Sequence, residues 1–244
     1  MFMLRAMNSQ VPLSPTPRTR LHRKRERGRT DRTELYAVLD QGLVCHLGVL
    51  VDGSPVVLPT GYGRIGDTLY LHGSAANRAL GAAAAGQPVC VTVTHLDGIV
   101  LARSAFHHSV NYRSAMIFGT ARAIATDPER LRGLRAIVEQ LAPGQWAATR
   151  TPTRKELAAT TVLALSLSEA SVKVRSGPPV DEPEDHYPEL WAGVLPVITT
   201  FGEPEGDPAL PPGVAVPAHV RLRSYGNSGV PPLLSAARDG TADP

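Results

Sequence analysis

The sequence predicts a mainly β protein, an antiparallel barrel with helices appended at its corners. Apolar segments of strand length are joined by tight turns with Asp-Gly or Gly-Asp pairs, which is typical of antiparallel hairpins. Helical segments occur between some of these strands but do not alternate with them one by one, as a parallel βαβ sheet requires. Hydrophobic residues make up 43% of the chain, which is enough for a substantial core.

A basic segment leads into the first predicted helix. Residues 18–32 carry much of the positive charge of the chain, and we interpret them as a solvated N-terminal arm. The alternative is that the arm folds back onto the domain and lends arginine side chains to an anion. Asp31 and Glu34 then form a capping box that opens a short helix, ELYAVLDQ, which ends at Gly42.

Three antiparallel strands are predicted after this helix. Apolar β-formers recur on either side of Asp52-Gly53 and again on either side of Gly66-Asp67. Such pairs between apolar runs are strong hairpin signals. The predicted strands lie at about 43–51, 54–62 and 67–73.

The middle of the chain alternates between helix and strand. Ser74 is placed to cap a helix, AANRALGAAAAG, that ends at Gly86. The segment PVCVTVTHLDGIVLARS is predicted to be a hairpin that turns at Asp97-Gly98. The segment NYRSAMIFGTARAIA is predicted to be a long strand, and Gly119 within it indicates a bulge.

A second amphipathic helix and the last strands complete the predicted domain. Asp127-Pro128 opens the helix PERLRGLRAIVEQLA, and residues 155–159 add one more helical turn. TVLALSLSEASVKVRSG supplies the final strands. After Gly177 the composition shifts to Pro, Gly and acidic residues around the apolar island WAGVLPV, and residues from Phe201 are expected to drape over the surface or to be disordered.

Bulk properties place the chain among cytoplasmic globular proteins. The net charge is only +3, and no apolar run approaches the ~18 residues of a membrane span. The two cysteines lie in apolar segments and suit a reducing compartment. We therefore expect neither nucleic acid nor membrane as partner, and expect a small-molecule substrate. The predicted boundaries are a disordered tail at 1–17, a domain at 18–222 and a second disordered tail at 223–244.

A candidate phosphate site follows the third strand. Ser74 begins a predicted helix that contains Asn77 and Arg78, and a helix N-terminus offers unpaired backbone N–H groups to an anion. The Arg78 guanidinium can bind two phosphate oxygens at once. The alternative interpretation, at about even weight, is an ordinary capped helix with a surface arginine.

Two further groups carry polar or aromatic side chains next to apolar segments. Residues 111–114, Asn-Tyr-Arg-Ser, are rich in hydrogen-bond donors and could meet a flavin or a phosphate. His107 and His108 are adjacent and point to opposite faces of a strand, so we reject a metal site there. Trp191 is either a packing anchor or a partner for a planar cofactor.

Several blocks of the sequence, in order, resemble the flavin-nucleotide-binding proteins, which are related to the nitroimidazole-reductase-like members of the pyridoxamine 5′-phosphate oxidase superfamily. The blocks are HGSAANR, DGIVLARSAFHHSVNYRSAMIFG, PGQWAATRTPTRKELAATTVLALSLSEASVKVRSGPP and WAGVLP. The resemblance runs from about Arg18 to about Val220. It implies a six-stranded split β-barrel, a homodimer, and two FMN sites shared between the subunits.

The resemblance also implies positions for the cofactor. It places Ser74 and Arg78 near the FMN phosphate, residues 60–62 along the isoalloxazine ring or ribityl chain, residues 111–114 on the barrel strand that approaches the flavin from the same or the partner subunit, and Trp191 near the ring. The full set of candidate FMN-binding residues is Thr60, Gly61, Tyr62, His72, Ser74, Asn77, Arg78, Asn111, Tyr112, Arg113, Ser114 and Trp191.

The implied function is that of an FMN-dependent oxidoreductase. It would pass electrons from a reduced nicotinamide through FMN to a small acceptor such as a nitroaromatic, with His72 as a proton donor or, nearly as well supported, as a purely structural residue. The alternatives are a non-catalytic flavin-binding or storage protein, or a split barrel that uses a deazaflavin or haem. Candidate haem ligands are His72, His107, His108 and His186.

Vitamin B6 oxidation is disfavoured, because the sequence departs from pyridoxamine-phosphate oxidase itself. The segment PTGYGRIG carries only Arg64 where that enzyme has paired basic phosphate ligands. WAGVLP stands where its arginine-containing substrate segment would be.

Overall fold

The strands of the protein form one continuous antiparallel sheet system, seen in a computed structural model that describes residues 12–185, 187 and 189–226. The strands are β1 (Gly28–Arg29), β2 (Val44–Val51), β3 (Ser54–Ile65), β4 (Thr68–Ser74), β5 (Pro88–Leu101), β6 (Ser109–Thr120), β7 (Arg122–Ala123), β8 (Thr160–Ser166), β9 (Ala170–Arg175) and β10 (Gly193–Pro196). The helices are α1 (Arg32–Gln41), α2 (Arg78–Ala84), α3 (Asp127–Leu141), α4 (Arg154–Ala158) and α5 (Ala218–Gly226).

The order of the strands confirms the predicted fold class. Neighbours follow the order β1-β9-β6-β5-β2-β3-β4-β8-β7, β10 pairs with β5, and every pairing is antiparallel. The helices lie between strands without building a parallel crossover. The fold is therefore mainly antiparallel β with few helices, consistent with a split barrel.

The first two hairpins form as predicted. Asp52 and Gly53 both have positive φ, 50° and 77°, which is the backbone conformation of a two-residue turn that matches strand twist. Val51 pairs directly with Ser54 across this turn. The second turn uses Gly66, with φ of 57°, and brings Ile65 opposite Thr68.

The predicted hairpin at Asp97-Gly98 is wrong, because β5 continues through it as one 14-residue strand. Its pairing with β6 shifts by one residue between Leu96 and Gly98, so Asp97 forms a bulge. Strand β10 packs on the other side: a Cβ at Gly98 would lie 3.2 Å from the Leu195 carbonyl oxygen. Glycine is needed here for close approach of two strands and not for a turn.

The bulge predicted at Gly119 is also absent. Gly119 pairs with Val89 in unbroken register within β6. A Cβ there would lie 3.0 Å from the Leu165 side chain, so the glycine accommodates a neighbouring strand.

Helix α2 begins four residues later than the predicted cap. Ser74 is the last residue of β4, and Asn77 is the N-cap, whose side-chain oxygen accepts from the N–H groups of Ala79 and Leu80. The Ser74 hydroxyl instead accepts from Ala76 N at 3.2 Å in the preceding turn. Asn is as good an N-cap as Ser, and here it is the residue positioned to reach both N–H groups.

The core lies between the sheet and helices α1 and α2. Leu35, Leu39, Leu47 and Tyr62 are fully buried in it. A smaller cluster, centred on Tyr70 and including Ile124, Ile137, Val162 and Ala164, forms where α3 packs on the opposite face of β4 and β8.

The basic N-terminal arm folds back onto the domain, although most of its basic side chains between Arg18 and Arg25 stay exposed to solvent. Strand β1 pairs with β9, and Arg18 forms an ion pair with Glu169. Arg32 is buried and donates to Asp67 at 2.9 Å. Three arginines of the arm, Arg18, Arg29 and Arg32, thus pair with carboxylates of this same chain.

Part of the segment predicted as an N-terminal tail packs against the domain. Leu13 lies in the core, and its N–H donates to the Thr30 carbonyl. Residues 1–11 and 227–244 are outside the described residues; of the predicted C-terminal tail, residues 223–226 belong to α5. Among the described residues, no helix is both long enough and apolar enough to cross a membrane.

Candidate functional site

His72 is the candidate residue whose surroundings are most distinctive. Its Nδ1 atom is buried and has no hydrogen-bond partner among the described residues. The imidazole lines a cavity of about 380 Å³, together with Leu134, Arg150, Pro152, Glu156 and Thr160. Burial lowers the pKa of His72, so the ring is neutral near pH 7. A neutral imidazole with a free nitrogen can bind a metal centre or exchange a proton.

Strand alternation explains this placement. Leu69 and Leu71 are fully buried in the main core, so the intervening residue Tyr70 and the next residue, His72, face the α3 side. His72 lies opposite Val162 of β8. The residues before and after it, Leu71 and Gly73, also pair with β8, which fixes the backbone around His72.

An ion pair flanks the His72 cavity. Arg150 donates to both oxygens of Glu156, at 2.8 and 2.6 Å. Thr153 and Glu156 form a capping box at the start of α4. These hydrogen bonds, first from Arg150 and then from Thr153, lower the pKa of Glu156 to about 2. A neutral imidazole and an ionised carboxylate thus line the same cavity.

The predicted phosphate site at α2 is already largely satisfied within the chain. The Asn77 side-chain oxygen accepts hydrogen bonds from the N–H groups of Ala79 and Leu80, and the Arg78 guanidinium forms an ion pair with Asp52. The Arg78 side chain is 76% exposed. The fold brings Ser74, Asn77 and Arg78 together, but in a capped, ion-paired arrangement.

Residues 60–62 divide between surface and core. The Tyr62 side chain is fully buried, its hydroxyl donates to the Leu39 carbonyl at 2.5 Å, and burial raises its pKa. Only its backbone can therefore reach a cofactor. Gly61 has open space where a side chain would be, and Val44, its partner in β2, is half exposed.

Residues 111–114 lie on β6, each with a different environment. Asn111 is buried and donates to the Gly177 carbonyl at 3.1 Å. Arg113 donates to both oxygens of Asp97 and to Gln41. Tyr112 and Ser114 are partly exposed and share one face of the strand, since they are two residues apart.

The sequence reasoning missed a basic group beside these residues. Arg175 is buried to 9% exposure and has no carboxylate partner among the described residues, whereas its N–H groups reach Asn111 and the Pro178 carbonyl. Burial and the nearby charge of Arg27 lower the pKa of Arg175. The signal was available, because the alternation in SVKVR puts Lys173 and Arg175 on one face.

An exposed apolar face runs across the sheet near these groups. Register places its side chains on one side of β2, β3, β5, β6 and β10. The exposed members are Val44, Leu50, Val57, Leu96, Ile99, Val110, Met116 and Leu195.

The remaining aromatic and histidine candidates lie at the surface. Trp191 is 69% exposed, and its ring covers Gly193, where a Cβ would lie 2.7 Å from the ring. His107 and His108 lie at an exposed 3₁₀ turn, in which His108 contacts the Ser104 carbonyl. His186 is outside the described residues. No three His, Cys, Asp or Glu side chains of the described chain converge as metal ligands.

Comparisons with known proteins match this architecture. Residues 31–174 match the family model of pyridoxamine 5′-phosphate oxidase. The flavocytochrome Anf3 from Azotobacter vinelandii is 40% identical, with 86% of this chain and 98% of that chain covered and a TM-score of 0.81. The FAD and haem binding protein from Mycobacterium smegmatis is 42% identical, with 81% and 97% covered and a TM-score of 0.77.

A more distant structure shares the fold alone. It is the putative 5-nitroimidazole antibiotic resistance protein from Bacteroides thetaiotaomicron, 22% identical, with 60% of this chain and 86% of that chain covered and a TM-score of 0.52. Comparison with curated proteins gives no match.

Proposed function

The chain belongs to the pyridoxamine 5′-phosphate oxidase family, and from this premise we propose that it is a flavin-binding redox protein that also holds a haem. The observation that carries the proposal is the neutral imidazole of His72, which lines a surface cavity and whose buried Nδ1 has no hydrogen-bond partner among the described residues. It occurs in a chain that aligns over almost the full length of two proteins described as a flavocytochrome and as an FAD and haem binding protein.

The flavin we propose is FAD, with FMN as the second choice. The sequence resemblance favoured FMN, whereas the relative that is 42% identical is described as binding FAD. Both share the isoalloxazine ring and a phosphate, so the same surface serves either. Gly61, Tyr112 and Ser114 are partly exposed strand residues, and they offer space and hydroxyl donors to such a ligand.

His72 is the described residue that would hold the haem iron. Haem iron is commonly held by histidine, which must be neutral to bind. Burial keeps this imidazole neutral, and its Nδ1 lacks the partner that most buried polar atoms have. His107 and His108, by contrast, lie at an exposed turn and do not line this cavity.

The cofactors and the protein would have separate roles. When bound, the flavin supplies two-electron acceptance from a reduced nicotinamide and the haem supplies one-electron transfer. The protein's part is to bind and orient the cofactors. His72 holds one nitrogen ready, and the Arg150–Glu156 pair fixes the wall of the cavity beside it.

A homodimer is part of the proposal. The exposed apolar face described above carries eight large hydrophobic side chains, and a second copy of this chain would remove them from water. A nitroaromatic or similar small molecule would be the final electron acceptor.

The test is the absorption spectrum of the purified chain after haem is added, with mass spectrometry of the flavin that heat releases. We expect flavin bands, released FAD, and a Soret band that His72→Ala abolishes. His108→Ala is the matched control and should keep the band. A His72→Ala protein with a normal Soret band would disprove the ligand assignment.

Anaerobic mixing with NADH or NADPH separates an electron carrier from a storage protein. Bleaching of the flavin bands, followed by reoxidation with a nitroaromatic, supports the oxidoreductase. Bound flavin that neither nicotinamide reduces would support non-catalytic flavin binding instead.

A further inference from the structure

The N-terminal arm presents four cationic side chains that have no partner within the described part of the chain. Arg20, Arg23, Lys24 and Arg25 are exposed, and none of them forms an ion pair with a carboxylate of the described residues. We call these four residues the cationic loop.

The arginines that flank the cationic loop are used differently. Arg18 pairs with Glu169, and Arg29 pairs with Glu34. These pairs help to hold the arm against the domain, whereas the four charges of the loop make no such contact. The loop charges are thus available to another molecule.

The backbone of the cationic loop is held in place from both ends. Thr19 is buried, and its N–H donates to the Thr16 carbonyl at 3.2 Å. Gly28 pairs with Lys173 of β9, and a Cβ at Gly28 would lie 2.8 Å from the Leu21 side chain. A partner would therefore meet charges on a backbone that is already ordered, which lowers the entropic cost of binding.

Lys24 has a backbone conformation that favours glycine. Its φ and ψ are 54° and 52°, in the left-handed region, at the start of the 3₁₀ turn Arg25–Arg27. Asp52 is the only other non-glycine residue of the described chain with positive φ. Glycine would be less strained at position 24, so the presence of lysine indicates that the charge itself has a role.

The segment that contains the loop dominates the charge of the molecule. Residues 18–25 hold five Lys and Arg residues and no acidic residue, for a formal charge of +5, whereas the whole chain carries +3. The rest of the chain is therefore net negative. Such an asymmetric charge distribution orients the protein towards an acidic surface and speeds the encounter with it.

Among acidic macromolecules, a protein fits the cationic loop best. Residues 18–29 contain no Phe, Tyr or Trp on which nucleic-acid bases would stack. The single large apolar residue of this segment, Leu21, is partly buried against Gly28 and is not free to enter a bilayer. Exposed charge without an apolar centre is typical of small, transient interfaces such as those of electron-transfer proteins.

We infer that the cationic loop docks an acidic protein and, resting on the proposed function, that this partner is a small electron-carrier protein with an acidic surface. Carboxylates of the partner would meet the four positive charges, and salt would weaken the contact. No residue of the loop lines the His72 cavity, so the loop is a recognition surface separate from that cavity.

The experiment measures binding of a fluorescently labelled acidic ferredoxin to the full chain, by anisotropy, at low and at physiological ionic strength. The loop variants are Lys24→Gly and a triple variant with Arg23→Gln, Lys24→Gly and Arg25→Gln. The matched control removes three charges from exposed positions of α3 and α4, by Arg132→Gln, Arg154→Gln and Lys155→Met. Melting curves verify that each variant is folded.

We expect the loop triple variant to bind the ferredoxin about tenfold more weakly than wild type at low ionic strength, and the control to bind like wild type. Lys24→Gly should bind more weakly without melting at a lower temperature, because it removes a left-handed non-glycine residue. A folded loop triple variant with wild-type affinity would overturn the inference. A control that loses as much affinity would overturn it too, since net charge alone would then be the cause.

Further probes separate the type of partner from the proposed function. Anionic phospholipid vesicles or a DNA oligonucleotide that bind wild type more tightly than the ferredoxin does, through the loop charges, would overturn the assignment to a protein. If wild type binds neither flavin nor haem, the proposed function fails, and the electron carrier fails with it. Binding of poly-L-glutamate that the loop triple variant abolishes would still support the loop as a docking site for an acidic protein.

Discussion

The Arg113 guanidinium spans the bulge in β5 by donating to both carboxylate oxygens of Asp97, at 3.0 and 2.8 Å. The third contact of Arg113 is to Gln41 at the end of α1, at 2.5 Å. Pairing of β5 with β2 ends at Thr92, and pairing with β10 begins at Gly98, directly after the bulge. One side chain thus ties the outer part of β5 to a helix of the barrel.

We expect this pair to be worth more than an exposed one. Asp97→Asn and Arg113→Met should each lower the free energy of unfolding by about 1–2 kcal/mol, because a partly buried, bidentate pair is lost. A double-mutant cycle in urea should give a favourable coupling. The same cycle on the exposed pair of Arg122 and Glu129 is the control, and equal couplings would contradict this reasoning.

Gly63→Ala should be severely destabilising. A Cβ at this position would overlap the backbone of Ala136 and lie 2.5 Å from the Ile137 nitrogen. Helix α3 could therefore not pack against β3 at its present distance. We expect a loss of about 3 kcal/mol or more in denaturant unfolding. Gly61→Ala, two residues away with nothing within 4 Å, is the matched control and should unfold like wild type.

The stability of the protein should fall with acid in a way that depends on His72. Burial lowers the pKa of His72 in the folded state below the ~6.5 of an unfolded chain. The unfolded state therefore binds the proton first, so this contribution is complete above about pH 6.5 and is lost as the pH falls through the folded pKa. His72→Gln should flatten the unfolding free energy between pH 7 and 5, while His108→Gln should retain the wild-type slope.

Glu156 should titrate well below the ordinary pKa of a glutamate. The Arg150 guanidinium and then Thr153 lower its pKa to about 2, so the stabilisation it gives is present above the ordinary value near 4.5 and is lost as the pH falls towards 2. NMR titration of the carboxyl carbon measures this directly. Arg150→Met should move the midpoint upwards, and an unchanged midpoint in that variant would show that the ion pair is not the cause.

Local signals were sufficient for part of the fold. The β2–β3 hairpin follows from Asp52-Gly53, whose two residues take up the positive φ values of a tight turn. The same dipeptide at Asp97-Gly98 is a bulge instead, because β10, about 100 residues later, pairs with that stretch.

Only part of the candidate site could be predicted, because several of its contacts come from segments that are distant in the sequence. His72 stood out in the sequence, but the cavity that its imidazole lines also depends on Leu134 of α3 and Glu156 of α4. Ser74 and Arg78 looked free in the sequence, whereas the fold gives Arg78 a carboxylate from the β2–β3 turn. The sequence does not single out Arg175, because only the fold shows that it has no carboxylate partner among the described residues.

The pairing of β1 with β9 has a consequence for how the chain is made. Gly28 and Lys173 are neighbours in space but are separated by most of the domain along the chain. On the ribosome, the basic arm must wait for β9 to be synthesised before it can form its short ladder, and long-range contacts of this kind form slowly. Closure of this edge of the sheet is thus among the last steps of folding.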